Sequence, residues 1–177
     1  MLQQLRDLLR PRTRWQEFER LRRARAALRN KGFKPEDALV ICGEPRGGTT
    51  WLMELLALTP GTAVIWEPLH PQRGVVPVRF RLGWRGHIPE AVPEPHIQSF
   101  MREVLSGRRI NAWTRYTSHE GDEARADHLL VKFCYASDLL PWMTRWIEFS
   151  HKPIHLLRHP VAVELSQVRL FKMSGPM

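Results

Sequence analysis

Residues 38–51 constrain the fold more than any other stretch of the chain. They read Ala-Leu-Val-Ile-Cys-Gly-Glu-Pro-Arg-Gly-Gly-Thr-Thr-Trp. Leu39, Val40, Ile41 and Cys42 form a short apolar run bounded by turn formers, which is the pattern of a buried parallel strand. Residues 49–58 then predict a helix stopped by Pro60 and Gly61. The loop between them is Gly43-Glu-Pro-Arg-Gly-Gly48. Adjacent glycines let a backbone approach an anion closely, and the amides that open a helix have no intrahelical acceptors. Arg46, the hydroxyls of Thr49 and Thr50, and a helix dipole worth roughly +0.5 charge complete a phosphate-type site.

The spacing Gly43-x-x-x-x-Gly48 is that of a nucleoside-triphosphatase loop, but such a loop needs Lys next, and Thr49 stands there instead. The cation comes earlier, at Arg46, which favours an anion gripped by amides and a guanidinium over magnesium-nucleotide chemistry. Pro-Arg-Gly-Gly-Thr-Thr-Trp resembles the 5′-phosphosulfate loop of sulfotransferases that use 3′-phosphoadenosine 5′-phosphosulfate (PAPS). The family's usual wording is Pro-(Lys or Arg)-Ser-Gly-Thr-Thr-Trp, so Gly47 replaces a Ser, removing a hydroxyl but keeping the amide.

A second motif follows in the right order. Residues 153–158 predict another buried strand ending in Arg158, and a helix from Val161 carries Ser166. Arg158-His-Pro-Val-Ala-Val-Glu-Leu-Ser166 resembles the family's 3′-phosphate motif. Pro160 suits a helix start, and Arg158 and Ser166 can hold one phosphate between them.

The resemblance implies a PAPS-dependent sulfotransferase that needs no metal. Arg46, Gly47, Gly48, Thr49 and Thr50 would bind the 5′-phosphosulfate, Trp51 would stack on adenine, and Arg158 with Ser166 would bind the 3′-phosphate. A strand predicted over Thr62–Trp66 ends in Glu67-Pro-Leu, which resembles the strand-end carboxylate of carbohydrate-type and bacterial members. Glu67 is then the candidate base, Arg46 stabilises the leaving group, and His70 is the competing base. A third strand over residues 128–134 carries Lys132, where family members often have a Lys; a solvent-facing Lys is the plainer reading. The implied partner is a small-molecule or carbohydrate acceptor. Alternatives are a non-catalytic nucleotide-binding remnant of the fold, a kinase with a degenerate loop, and an electrostatic adaptor built on the N-terminal arm.

Strands alternating with helices predict an α/β fold: a three-layer parallel sheet with helices on both faces and a P-loop-like nucleotide-binding core. The predicted helices after the first are residues 96–105 and 138–149, the second with Trp142 and Trp146 in the core. Residues 71–95, rich in Pro and Gly, predict a long loop that recognises the acceptor, and residues 106–127 have no clear pattern. The resemblance covers residues 38–171, which implies that the family's C-terminal part is missing from domain 36–177.

Residues 1–35 hold eleven Lys and Arg against three acids, so eight of the nine net positive charges lie there. The remainder is nearly neutral, which argues for a basic arm rather than a nucleic-acid-binding domain. Leu2, Leu5, Leu8 and Leu9, then Trp15, Phe18, Leu21 and Leu28 recur at helical spacing and predict a basic amphipathic helix pair packed on the domain. Cys42 and Cys134 sit in apolar runs and read as core residues. No apolar run reaches membrane-spanning length, and Arg6, Asp7 and Arg10 interrupt any signal peptide, so a soluble cytoplasmic protein is expected.

Overall fold

The computed structural model describes residues 11–82 and 84–174. Helix α1 (Pro11–Lys31) leads into β1 (Leu39–Gly43), α2 (Thr49–Leu56) and β2 (Thr62–Trp66). Then follow α3 (Pro95–Leu105), a short α4 (Asp122–Arg125), β3 (His128–Phe133), α5 (Leu140–Trp146), β4 (Ile154–Leu156) and α6 (Pro160–Ser174). The four strands form one all-parallel sheet in the order β2-β3-β1-β4, so the chain is α/β.

Strand alternation sorts the side chains into two clusters. Val40 and Cys42, Ala63 and Ile65, and Leu129, Val131 and Phe133 join Ala24, Leu28, Phe100, Trp142 and Met143 in the larger one. Ile41 and Leu130, with Val64 and Trp66 beside them, join Met53, Leu52 and Leu56 of α2 in the smaller one. Each Leu or Ile fully buried in this way contributes about 1.5–3 kcal/mol. Both cysteines are buried free thiols, as their apolar surroundings predict.

Strand order determines where a ligand can enter. From β1 the chain crosses to β2, beyond β3; from β3 it crosses to β4, beyond β1. Neighbouring β1 and β3 therefore send their connections in opposite directions, which opens a crevice at their carboxyl ends. Gly43 pairs with Leu156 and Trp66 pairs with Lys132 at that edge.

Some expectations change. The helix predicted over residues 138–149 is a 3-10 turn (Ser137–Leu139) followed by α5, because Pro141 lacks an amide hydrogen and fits only the first turn. β4 is shorter than predicted, and Leu157 and Arg158 leave the sheet. In α1, Ala24 and Leu28 are in the core, whereas Trp15 and Phe18 remain exposed and stack on each other with ring centroids 6.0 Å apart. Apolar packing is thus confined to the second half of α1; the predicted positions Leu2, Leu5, Leu8 and Leu9 lie outside the described residues. Residues 71–82 and 84–94 are irregular apart from a 3-10 turn at Val78–Phe80, as the prolines predict. The indoles of Trp142 and Trp146 hold that stretch by donating to the carbonyls of Val92 and Glu90 at 2.8 and 3.0 Å.

Candidate functional site

The loop after β1 is closed by the Gly47 amide, which donates to the Glu44 carbonyl at 2.9 Å. Gly47 therefore does not offer its amide to a ligand, contrary to the expectation for residues 47–50. The turn also leaves no room for a side chain: a Cβ at position 47 would lie 2.8 Å from the Glu44 carbonyl oxygen. Gly43 is equally confined, 2.6 Å from the Leu156 carbonyl oxygen and 2.8 Å from Thr49 Cγ2 by the same measure. Gly48 caps α2 at φ 100°, a left-handed conformation open to glycine. The first amide to bond back along the helix is that of Leu52, to the Gly48 carbonyl at 3.1 Å. The amides of Thr49, Thr50 and Trp51 precede it and have no intrahelical acceptor.

The side chains sort themselves differently. Thr49 is buried, and its hydroxyl lies 3.5 Å from Cys134 Sγ in the interior, so its side chain does not face a ligand. Trp51 is 65% exposed, which rules out a core role and leaves its ring free to stack. Arg46 is exposed and held at φ 68°. Its Nε donates to Ser166 Oγ at 3.0 Å, and Arg158 in turn donates to the Arg46 carbonyl at 3.1 Å. The glycine-rich loop and the Arg158–Ser166 segment, more than a hundred residues apart, thus interlock at one end of the sheet. His159 accepts at its carbonyl from the amides of Ala162 and Val163, opening α6 with Pro160 at its first position.

At the other end, Glu67 directly follows β2 and takes φ 37°. Arg46, Glu67 and Arg81 are the non-glycine residues with positive φ among the described residues, and two of them are the candidate catalytic pair. Such conformations cost about 1–3 kcal/mol each and persist where surrounding contacts impose them. Here those contacts are the Glu67 amide bonded to the Lys132 carbonyl at 2.9 Å and the Trp113 indole bonded to the Glu67 carbonyl at 3.3 Å.

The Glu67 carboxylate meets Lys132 Nζ at 2.5 Å. Lys132 is 1% exposed, with its ammonium 4.0 Å from the Trp66 ring centroid, so the solvent-facing reading of this Lys is overturned. Alternation already pointed inward: Lys132 shares the face of Leu130 and Val64. Neither Glu67 nor Lys132 is a free group; each neutralises the other in a nearly dry place. The sequence reading missed this pairing.

His70, Trp84, Trp113 and Tyr135 surround the pair with edge-on ring contacts, the His70 ring lying 5.0, 5.2 and 5.8 Å from Trp113, Trp84 and Tyr135. Burial pushes the His70 imidazole below its ordinary range, although the Glu67 charge pulls the other way. Its Nδ1 accepts from the amides of Gln72 and Arg73 at 3.3 and 3.2 Å, which occupies that nitrogen in a turn. Burial, and next the Glu67 charge, push the Tyr135 phenol up to about 12. The irregular stretch reaches the loop after β1 through Arg85, which pairs with Glu44 at 3.2 Å on the surface. Among the described residues no group of three or more His, Cys, Asp or Glu is placed to hold a metal ion. Nor, among the described residues, is any helix long and apolar enough to cross a membrane.

Comparison of the chain with known proteins returned no significant match to a family model, a curated protein or a solved structure.

Proposed function

We propose that the chain is a PAPS-dependent sulfotransferase domain with the three-layer, P-loop-like core of that family. The observation that carries the reading is the contact between the two phosphate motifs, Arg46 Nε to Ser166 Oγ and Arg158 to the Arg46 carbonyl. Motifs that resemble one family's two phosphate sites could have fallen anywhere on the fold; they meet at the sheet edge where an α/β protein binds nucleotides.

The residues fit such a ligand. The amides of Thr50 and Trp51, which have no intrahelical acceptor, with Arg46 would hold the 5′-phosphosulfate and balance charge on the departing phosphate oxygen. Arg158 and Ser166 would take the 3′-phosphate, and the exposed Trp51 ring would stack on adenine. Glu67 would accept the proton of the acceptor hydroxyl or amine as its oxygen or nitrogen bonds to sulfur and the sulfur–phosphate oxygen bond breaks. Lys132 would hold that carboxylate in place through their direct bond. The aromatic side chains around it, with residues 71–95, would receive a small-molecule or carbohydrate acceptor and exclude water.

The test is turnover of labelled PAPS with an acceptor panel. Arg46→Ala should lower it by two to three powers of ten, since one preorganised contact to developing charge is worth about 2.7–4 kcal/mol. Equal turnover in wild type and variant would remove Arg46 from the mechanism. One observation favours a second reading, a non-catalytic nucleotide-binding protein: the Glu67–Lys132 ion pair occupies the only carboxylate directly following β2. Tight bisphosphate binding with no turnover on any acceptor would favour it.

A further inference from the structure

A second concentration of positive charge lies outside both phosphate loops and outside the Glu67–Lys132 pair. A cavity of about 810 Å³ lies between α1 and the segment after α3, and four arginines line it: Arg25, Arg29, Arg108 and Arg109. Its one carboxylate is Glu103, already engaged by Arg109 Nε.

The other basic residues in this half of α1 show what is unusual here. Arg22 pairs with Glu19, Arg20 and Arg23 with Glu120, and Lys31 with Asp127. Arg25 and Arg29, one turn apart on a single face, are matched by no carboxylate among the described residues. Arg25 donates to the Ile110 carbonyl at 2.9 Å, and neither the Arg29 nor the Arg108 side chain has a hydrogen-bond or ion-pair partner among the described residues. Like charges one turn apart weaken a helix, so their convergence with two further guanidinium groups is costly without an anion. A guanidinium offers a planar fork of donors that matches phosphate and sulfate oxygens two at a time. The volume falls in the range of roughly 300–1,000 Å³ that small-ligand sites occupy.

We propose that this cavity is a second anion site, for a ligand carrying two or more phosphate or sulfate groups. Arg29 and Arg108 make the principal contacts from opposite walls, while Arg25 and Arg109, held by the Ile110 carbonyl and Glu103, supply fixed charge. The site is independent of the nucleotide reading, and it stands or falls separately.

Calorimetric titration of the full chain with tripolyphosphate and with a fully sulfated disaccharide tests it. The same titrations are run on Arg158→Ala, on the double variant Arg29→Ala/Arg108→Ala, and on the triple variant. Both cavity arginines are exposed, so the double variant should keep the wild-type melting temperature. Binding of at least one probe should survive Arg158→Ala and weaken about 100-fold or more in the double variant, as expected for two lost charge-assisted contacts. Which probe binds more tightly tells a phosphorylated ligand from a sulfated sugar. Absence of binding by the wild type, unchanged affinity in the double variant, or complete loss on Arg158→Ala alone would each overturn the proposal.

Discussion

At the β1–β4 end of the sheet's carboxyl edge, Arg46, Arg158 and Trp51 stand in solvent, and the first amides of α2 have no intrahelical acceptor. At the β2–β3 end, only a few residues along the same edge, Lys132 is 1% exposed and the Glu67 side chain 11%. The first end presents cations and donors with spare capacity, so an anion can arrive without desolvating a buried charge. The second presents a cation and an anion already joined, walled by aromatic rings. Parallel topology puts both at one edge; what separates them is water. An open cationic end suits a ligand that must bind and leave. A closed, neutralised end suits a step in which a proton moves between groups held in fixed places.

The contrast predicts opposite responses to mutation. Lys132→Met strands the Glu67 carboxylate in a nearly dry site and should destabilise the chain by about 3–5 kcal/mol, read from urea midpoints. Adding Glu67→Gln to that variant should recover much of the loss, because no unpaired charge remains. A single-variant cost below about 1 kcal/mol would mean that this pair behaves like a surface ion pair and that the two ends do not differ in solvation.

Gly47→Ser tests the open end. The resemblance suggests a harmless exchange, since Ser is the usual residue there. The turn in this chain instead places a Cβ 2.8 Å from the Glu44 carbonyl oxygen, so the loop must shift. A cost of about 1–3 kcal/mol and weaker nucleotide binding are expected, the range for crowding a packed position. A neutral Gly47→Ser would show that the loop is looser than its Gly47–Glu44 bond indicates.

Trp51→Ala should have the smallest effect on stability, within about 0.5 kcal/mol, because an exposed ring contributes little to packing. Affinity for an adenine nucleotide should still fall by about 1–3 kcal/mol, the worth of one aromatic–base stack. Equal affinity for adenine and non-adenine bisphosphates in the wild type would deny the ring that role.

The strands were readable because their signal is local. Residues 39–42 and Thr62–Trp66 are apolar runs that fit only a sheet, and the structure extends or matches them directly. The turn after β1 was readable for the same reason: glycine, proline and arginine at fixed offsets announce a turn before a helix, and residues 44–47 form one before α2. What sequence could not give is partnership across the fold. Lys132 finds Glu67 through the register of β2 on β3, and that register is a property of two strands more than sixty residues apart. Residues 106–127 had no readable pattern because side-chain contacts shape them. The Asn111 side chain accepts from the Thr114 amide at 2.9 Å and donates to the Arg73 and Gly74 carbonyls, and Arg115 pairs with the buried Glu123. The fate of the Gly47 amide was likewise invisible, since a motif names a residue and not the hydrogen bond it makes.

The account rests on the two phosphate motifs acting as one nucleotide site, and calorimetric titration with adenosine 3′,5′-bisphosphate, beside AMP and ATP, examines that unity. The wild type should prefer the bisphosphate, and Arg158→Ala should lose that preference while still binding AMP, because Arg46 and the α2 amides remain. Equal affinity for bisphosphate and AMP in the wild type, or an Arg158→Ala variant that still prefers the bisphosphate, would contradict it.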